Sequence, residues 1–338
     1  MTALATLLKD RIRTTGPLTV EEYMEVCLYH PQHGYYTNGR NFLPSPTDAS
    51  QPYPHDFITA AHLLHFAAPL AEWLHKQAQI LPTGSHFTYM ECGPGSGQLT
   101  HDILAYLQKH HPNTYTRAQP VLIEASPTLT ELQKQTLHAH PHCQWAATPS
   151  ETGLPIILIA NELLDAFPHS QIIQHEGRLQ PRTIELTTTD EFTFTQAEGP
   201  ITEHSPQMRT WLQTLPQSLH AALFLDYGAS TASATGDTFQ ALHKHQKVSV
   251  FHLPGETDLT MHVNFHNVTE ALKDSHPHLH AHPLEELAPF LLRHGLASAA
   301  LSNGMPDSAT ESALHRLLHP TEMGTLFKVQ SFTQTHTE

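Results

Sequence analysis

Glu91-Cys92-Gly93-Pro94-Gly95-Ser96-Gly97 decides the fold of this chain. His86 to Glu91 reads as a strand and Leu99 to Gln108 as an amphipathic helix, so the three glycines stand at a strand-to-helix corner. Glycine there permits positive φ and a close approach of another molecule to the main chain, and the helix N-terminus favours negative groups. An acid, Glu124, closes the next apolar strand, Pro120 to Glu124.

Outward from this corner the same texture repeats. Leu129 to Leu137 is a helix, and Pro155 to Asn161 is a strand that is apolar through Ile156-Ile157-Leu158-Ile159-Ala160. Ala221 to Asp226 is another such run. Unbroken apolar runs belong to strands covered on both faces, and strands alternating with helices predict an α/β doubly wound sheet. Gln171-Ile172-Ile173, Thr183 to Leu186 and Phe192 to Phe194 read as a small antiparallel β insertion at about 169–215. Ahead of the sheet, Ala3 to Arg13 and a second helix starting at Thr19, with Glu22 completing a capping box, form a helical cap. Phe42 to Asp56 carries four prolines and reads as a functional loop, and Ala60 to Ala78 as a helix. The tail adds a helix over Leu284 to Leu296 and a strand over Thr325 to Val329. The expected division is 1–80 for cap and lid loop and 81–338 for the Rossmann-like domain with its insertion and C-terminal extension.

Composition narrows the functions. The 338 residues hold 17 Lys+Arg against 32 Asp+Glu, a net charge of −15 that argues against a general grip on nucleic acid. No apolar run approaches the roughly 20 residues that cross a bilayer, so no membrane partner is expected. The start carries no signal-peptide pattern. Cys27, Cys92 and Cys143 form no CxxC pair, and a reduced, cytoplasmic, bacterial setting is expected. The 30 histidines give a charge that swings steeply between mildly acid and neutral pH. His276, His278, His280 and His282 have a spacing that would put four imidazoles on one strand face. Scatter along the whole chain favours solvated surface, and no metal is expected.

Glu124 stands where a carboxylate can accept hydrogen bonds from both hydroxyls of a ribose; without a ligand it is an exposed strand-end acid beside a tight corner. The turn runs Gly93-x-Gly95-x-Gly97 instead of the GxGxxG of dinucleotide enzymes, and Glu91 before it could face an ammonium. Glu91-x-Gly-x-Gly-x-Gly resembles the first motif of class I S-adenosylmethionine methyltransferases. Further stretches make the resemblance specific. They include Gly16-Pro17, Tyr29-His30-Pro31, His33-Gly34-Tyr35-Tyr36, Asp56-Phe57-Ile58-Thr59-Ala60 and Glu124-Ala125-Ser126-Pro127. Asn161-Glu162-Leu163-Leu164-Asp165-Ala166-Phe167-Pro168, Asp226-Tyr227-Gly228, Gly236-Asp237-Thr238, Pro254 to Thr260 and Met323 to Lys328 follow in order. The chain thus resembles the MidA-like family. It departs from that pattern at His55, at Ala61-His62 (usually Pro-Glu), at Ser96 (usually Arg) and at Ala146-Ala147.

The resemblance implies a class I S-adenosylmethionine methyltransferase, with S-adenosylhomocysteine as product. It also implies a protein substrate with a basic or arginine-containing segment, as in the family's mitochondrial members. The expected cofactor residues are Glu91, Gly93, Gly95, Gly97 and Glu124, with Thr59 and Tyr36 as part of a lid beside Tyr35 and Phe57. Acids at strand ends are the candidates for orienting and deprotonating a guanidinium. Glu162 and Asp165, at i and i+3 directly after the strand 156–161, would share a face if that turn is helical, with Asn161 shaping the site. Glu256, Asp258 and His262 form a second polar group, expected to bind substrate. A small-molecule N- or O-methyltransferase and an S-adenosylmethionine-binding assembly chaperone are the alternatives, and a homodimer is one admissible assembly.

Overall fold

The computed structural model describes residues 2–37, 60–195, 199–230, 236–244, 246–302 and 304–334. The chain divides into two compact units, one made of 1–57, 165–211 and 229–267, the other of 58–164, 212–228 and 268–338.

The second unit is built on a sheet whose main path runs through the strands β1 (Phe87–Cys92), β2 (Ala118–Ile123), β3 (Gln144–Ala146), β4 (Ile156–Asn161), β5 (Leu219–Ala229), β6 (Leu279–Ala281) and β7 (Phe327–Gln334), with two further two-residue strands pairing at its side. Their order is β6-β7-β5-β4-β1-β2-β3. The five from β3 to β5 pair in parallel, while β7 runs antiparallel to β5 and β6. All of β1 and β4 is buried, which is why those stretches carry no polar alternation. Each fully buried Ile or Leu there contributes about 1.5–3 kcal/mol. From β3 the chain crosses back to lay β4 beside β1, so the winding reverses between β1 and β4. Ligands of open α/β sheets lie beyond the strand ends at such a point. The glycine turn follows β1, and Glu162 follows β4.

The helices Ala67–Ile80 and Gln98–His110 pack on this sheet, and Leu70, Trp73, Leu74 and Leu104 join Tyr89, Ile157 and Phe290 in one core. The first helix begins later than the sequence predicts. His65 takes φ +68, and Pro69 is accommodated in the first turn, where its missing N–H is no loss. The expected boundary at residue 80 therefore differs from the observed division, because the apolar face of this helix is core of the sheet unit. The tail differs too. Its helix breaks at Gly295 (φ +92) into Leu287–Arg293 and Leu296–Ala300, and Met323–Leu326 is helical, with the strand starting at Phe327.

In the first unit, helices Ala3–Thr15 and Val20–Tyr29 pack Leu4, Leu8, Tyr23 and Met24 around Ile184, Ala241 and Leu259. The Thr19 side chain takes the N–H of Glu22, whose carboxylate accepts the Thr19 N–H at 2.8 Å, completing the predicted capping box. The insertion forms antiparallel strands as expected: Ser170–His175 pairs with Arg178–Pro181 and Ile201–His204, and Thr183–Leu186 with Phe192–Phe194.

The histidine run also differs from its predicted form. Only 279–281 is strand, and His276 ends the preceding helical stretch. His276 Nε2 lies 3.0 and 3.1 Å from the carbonyls of Leu215 and Pro216, so it carries the proton, and Nδ1 faces the Ser275 hydroxyl at 2.8 Å. His278 Nε2 meets the Leu219 carbonyl at 2.9 Å. Among the described residues no group of three or more His, Cys, Asp or Glu is arranged to hold a metal ion.

Candidate functional site

The glycine turn adopts the backbone its composition predicts. Gly93, Gly95 and Gly97 have φ of +69, +53 and +82. Gly93 donates to the Ile123 carbonyl at 3.2 Å, tying the turn to the end of β2, and Gly97 caps the helix that follows. A Cβ on Gly93 would meet Leu163 Cδ1 at 2.8 Å and one on Gly97 would press on Gln133 Cγ at 3.3 Å, whereas one on Gly95 would meet no atom of the described residues within 4 Å. Gly95 thus presents bare backbone to open space, a cradle in which a ligand can lie against the main chain.

Glu91 is buried beneath this turn. It accepts the Tyr89 hydroxyl at 2.8 Å and the Thr100 hydroxyl, since residues 89 and 91 share one face of β1 and Thr100 lies in the first turn of the next helix. Burial pushes its carboxyl up to about 7, against the pull of both hydroxyls. Glu124 is held at both oxygens: Ser126 N–H donates to Oε1 at 2.7 Å and Gln133 Nε2 to Oε2 at 3.1 Å. Burial raises this carboxyl as well. Gln133 Nε2 also reaches the Gly95 carbonyl at 2.8 Å, and the Trp145 indole donates to Gln133 Oε1 at 3.0 Å. The turn and the strand-end acid therefore meet through one side chain that sequence reasoning missed. A signal existed: Gln133 stands at the helical position between Leu129 and Leu137, where an apolar residue is expected.

At the end of β4, Glu162 takes φ +50, so it lies outside the short 3-10 turn Leu164–Ala166. The expectation that Glu162 and Asp165 share one helical face is corrected by this left-handed residue. Glu162 is half-buried, and its Oε1 accepts the Ala60 N–H at 2.8 Å and the Asn161 amide at 3.1 Å. Burial lifts its carboxyl to about 7. Asn161 Oδ1 is buried with no hydrogen-bond partner among the described residues. Asp226, fully buried on β5, accepts Leu164 N–H at 2.8 Å and Tyr227 N–H at 2.9 Å and so fixes the chain leaving Glu162. It too escaped notice as a site residue, because it ends an apolar run as an ordinary strand-end acid would. Two departures from the family pattern meet beside the turn: His62 Nε2 lies 3.5 Å from Ser96 Oγ.

In the first unit, the Tyr36 hydroxyl donates to Asp258 Oδ1 at 3.0 Å, and both Asp258 and Asp165 are buried and charge-coupled to that phenol. Burial, with those two acids next, pushes Tyr36 well above its ordinary range. His262 donates its backbone N–H to Thr238 Oγ1 at 3.0 Å, and burial lowers its imidazole. Glu256 is exposed, and its backbone is engaged with Leu253 and His243. Thr59, Phe57 and the proline-rich loop lie outside the described residues.

Comparison with known proteins agrees with this geometry. The profile of the family described as "Putative S-adenosyl-L-methionine-dependent methyltransferase" matches residues 69–282. The chain is 26% identical to the mitochondrial protein arginine methyltransferase NDUFAF7 homolog of Drosophila melanogaster, over 96% of this chain and 84% of that one. It is 27% identical to the Caenorhabditis elegans homolog, over 80% and 72%. A Burkholderia thailandensis protein crystallised with S-adenosyl-homocysteine superposes with TM-score 0.82 at 25% identity, over 98% of this chain and 92% of that one. The Drosophila and Caenorhabditis relatives are named as mitochondrial, which overturns the cytoplasmic placement expected from the sequence. No helix among the described residues is long and apolar enough to cross a membrane.

Proposed function

Since the chain belongs to this family of S-adenosylmethionine-dependent methyltransferases, we propose that its acceptor is a guanidino nitrogen of an arginine in a protein substrate. The curated relatives are named protein arginine methyltransferases, and the acidic net charge of −15 suits a basic partner segment. The observation that carries the reading is Glu162: a half-buried carboxyl at the switch point, lifted to about 7, with both described hydrogen bonds on Oε1.

S-adenosylmethionine, when bound, supplies an electrophilic methyl group on a sulfonium. The residues fit such a ligand: Gly95 offers an open backbone cradle, Glu124 a carboxylate for ribose hydroxyls, and Asn161 Oδ1 an unmatched acceptor. Leaving a buried carbonyl unpaired costs about 1–3 kcal/mol, which a donor on a ligand relieves. A guanidinium, with pKa above about 12, keeps its proton at neutral pH. Its positive charge draws the Glu162 proton off, so the residue acts as a carboxylate that orients the fork. Transfer would form the N–CH3 bond as the sulfonium S–CH3 bond breaks and S-adenosylhomocysteine leaves; the nitrogen would then be acidic, and its proton would pass to Glu162. The left-handed backbone at Glu162, locked by Ala60, keeps the carboxylate aimed throughout.

The test is transfer of labelled methyl from S-adenosylmethionine into a lysate, followed by mass spectrometry of the labelled species. Label on arginine side chains of protein is expected, and label confined to small molecules or to other residues overturns the arginine reading.

A further inference from the structure

We infer that Gln133 is the positioning residue that aims Glu124 at the ribose hydroxyls of S-adenosylmethionine and locks that acid to the glycine turn. The inference rests on the reading of Glu124 as the ribose-binding acid. Gln133 is wholly buried, on a helix face otherwise given to Leu129 and Leu137. Its amide has one consistent orientation. An indole N–H can only donate, so Trp145 at 3.0 Å identifies Oε1. The NH2 then faces two groups that only accept, the Gly95 carbonyl at 2.8 Å and Glu124 Oε2 at 3.1 Å. With Ser126 N–H on Oε1 at 2.7 Å, the carboxylate is gripped at both oxygens. A carboxylate has about four lone-pair sites; Ser126 and Gln133 take one on each oxygen, the Ala125 N–H also faces the group, and the capacity left over is what ribose hydroxyls would use. Without Gln133 the group pivots about Oε1, and its spacing to both hydroxyls is lost. Because the same NH2 holds Gly95, the two ends of the cofactor site keep one separation.

The experiment is calorimetric titration with S-adenosylhomocysteine and with its 2′-deoxy and 3′-deoxy analogues, using wild type and Gln133→Leu. Wild type is expected to bind the parent about tenfold more tightly than either analogue, as loss of a hydrogen bond to a charged group predicts. In Gln133→Leu the parent weakens about tenfold while the analogues weaken far less, so discrimination collapses toward unity. Equal weakening of all three ligands would make Gln133 merely structural and overturn the inference. Failure of wild type itself to discriminate would instead refute the reading of Glu124, and the role of Gln133 with it. Should Gln133→Leu fail to fold, Trp145→Phe keeps an aromatic six-membered ring but loses the pyrrole part of the indole and with it the N–H that orients the amide. It should reduce the same discrimination, and an unchanged ratio there overturns the inference as well.

Discussion

Glu162 Oε1 accepts the backbone N–H of Ala60 at 2.8 Å, a bond that spans 102 residues of chain and joins the end of β4 to the turn before the first sheet-covering helix. Left-handed backbone costs a non-glycine residue about 1–2 kcal/mol. The fold holds Glu162 there at φ +50 because its N–H is taken by Leu225 at 2.9 Å and its carboxylate by Ala60. A strained acid at a sheet's switch point, unlike a surface one, is held where it can act on a ligand.

Glu162→Gln keeps shape and an acceptor oxygen but cannot take a proton. Methyl transfer should fall at least about a hundredfold, within the usual range for loss of a general base, while S-adenosylhomocysteine binds within about threefold of wild type. The wild-type kcat/KM should rise as pH increases through about 7, where the free carboxyl loses its proton. A rate independent of pH from 6 to 8, or an active Gln variant, would remove Glu162 from the chemistry.

The glycines separate folding from binding. Gly93→Ala combines a φ of +69 with a Cβ 2.8 Å from Leu163, so both the melting temperature and cofactor affinity should drop, with about 1–3 kcal/mol lost in stability. Gly95→Ala adds a methyl to open space at φ +53. It should cost about 1 kcal/mol of stability and yet weaken S-adenosylhomocysteine more than tenfold, if the proposed cradle is where the ligand lies against the backbone. Calorimetry and thermal melts on both variants check this, and unimpaired binding in Gly95→Ala contradicts the proposed cradle.

Glu91 links stability to pH. Its carboxyl loses its proton near 4.3 in the unfolded chain and at about 7 when folded. Between those values the folded state binds more protons, so this group's contribution to stability falls as pH rises from 4.3 to 7 and is level above. The effect is at most about 4 kcal/mol, at about 1.4 kcal/mol per pH unit between those two values. Glu91→Gln removes the titration, so the variant should gain on wild type as pH goes from 5 to 8. Urea unfolding at both values measures the difference; a pH-independent gap means that Glu91 does not titrate in this range.

The histidine run should ignore zinc. With His276 and His278 each turning Nε2 to carbonyl oxygens, binding a metal there would break hydrogen bonds, and the burial of His276 makes the loss of its own costly. Calorimetric titration should show no stoichiometric uptake at sub-micromolar concentration, and a 1:1 isotherm lost on His276→Gln would contradict this assignment.

Local pattern was enough for much of this protein. The unbroken runs at 156–160 and 221–225, the glycines at 93, 95 and 97 and the Thr19–Glu22 box are short-range features, and periodicity and backbone freedom determine them wherever they sit. They also place Glu124 and Glu162 at strand ends, hence on the ligand side of a parallel sheet. What a side chain at a strand end then touches depends on segments far away in sequence. Ala60 meets Glu162, Gln133 meets Gly95, Asp226 holds the turn at Leu164 and His62 reaches Ser96. None of these pairs leaves a periodic trace, because one hydrogen bond between distant segments constrains two positions and no pattern between them. The division into two units at positions other than residue 80, and the left-handed backbone of Glu162 that replaces a helical turn there, were likewise decided only when helices and strands packed.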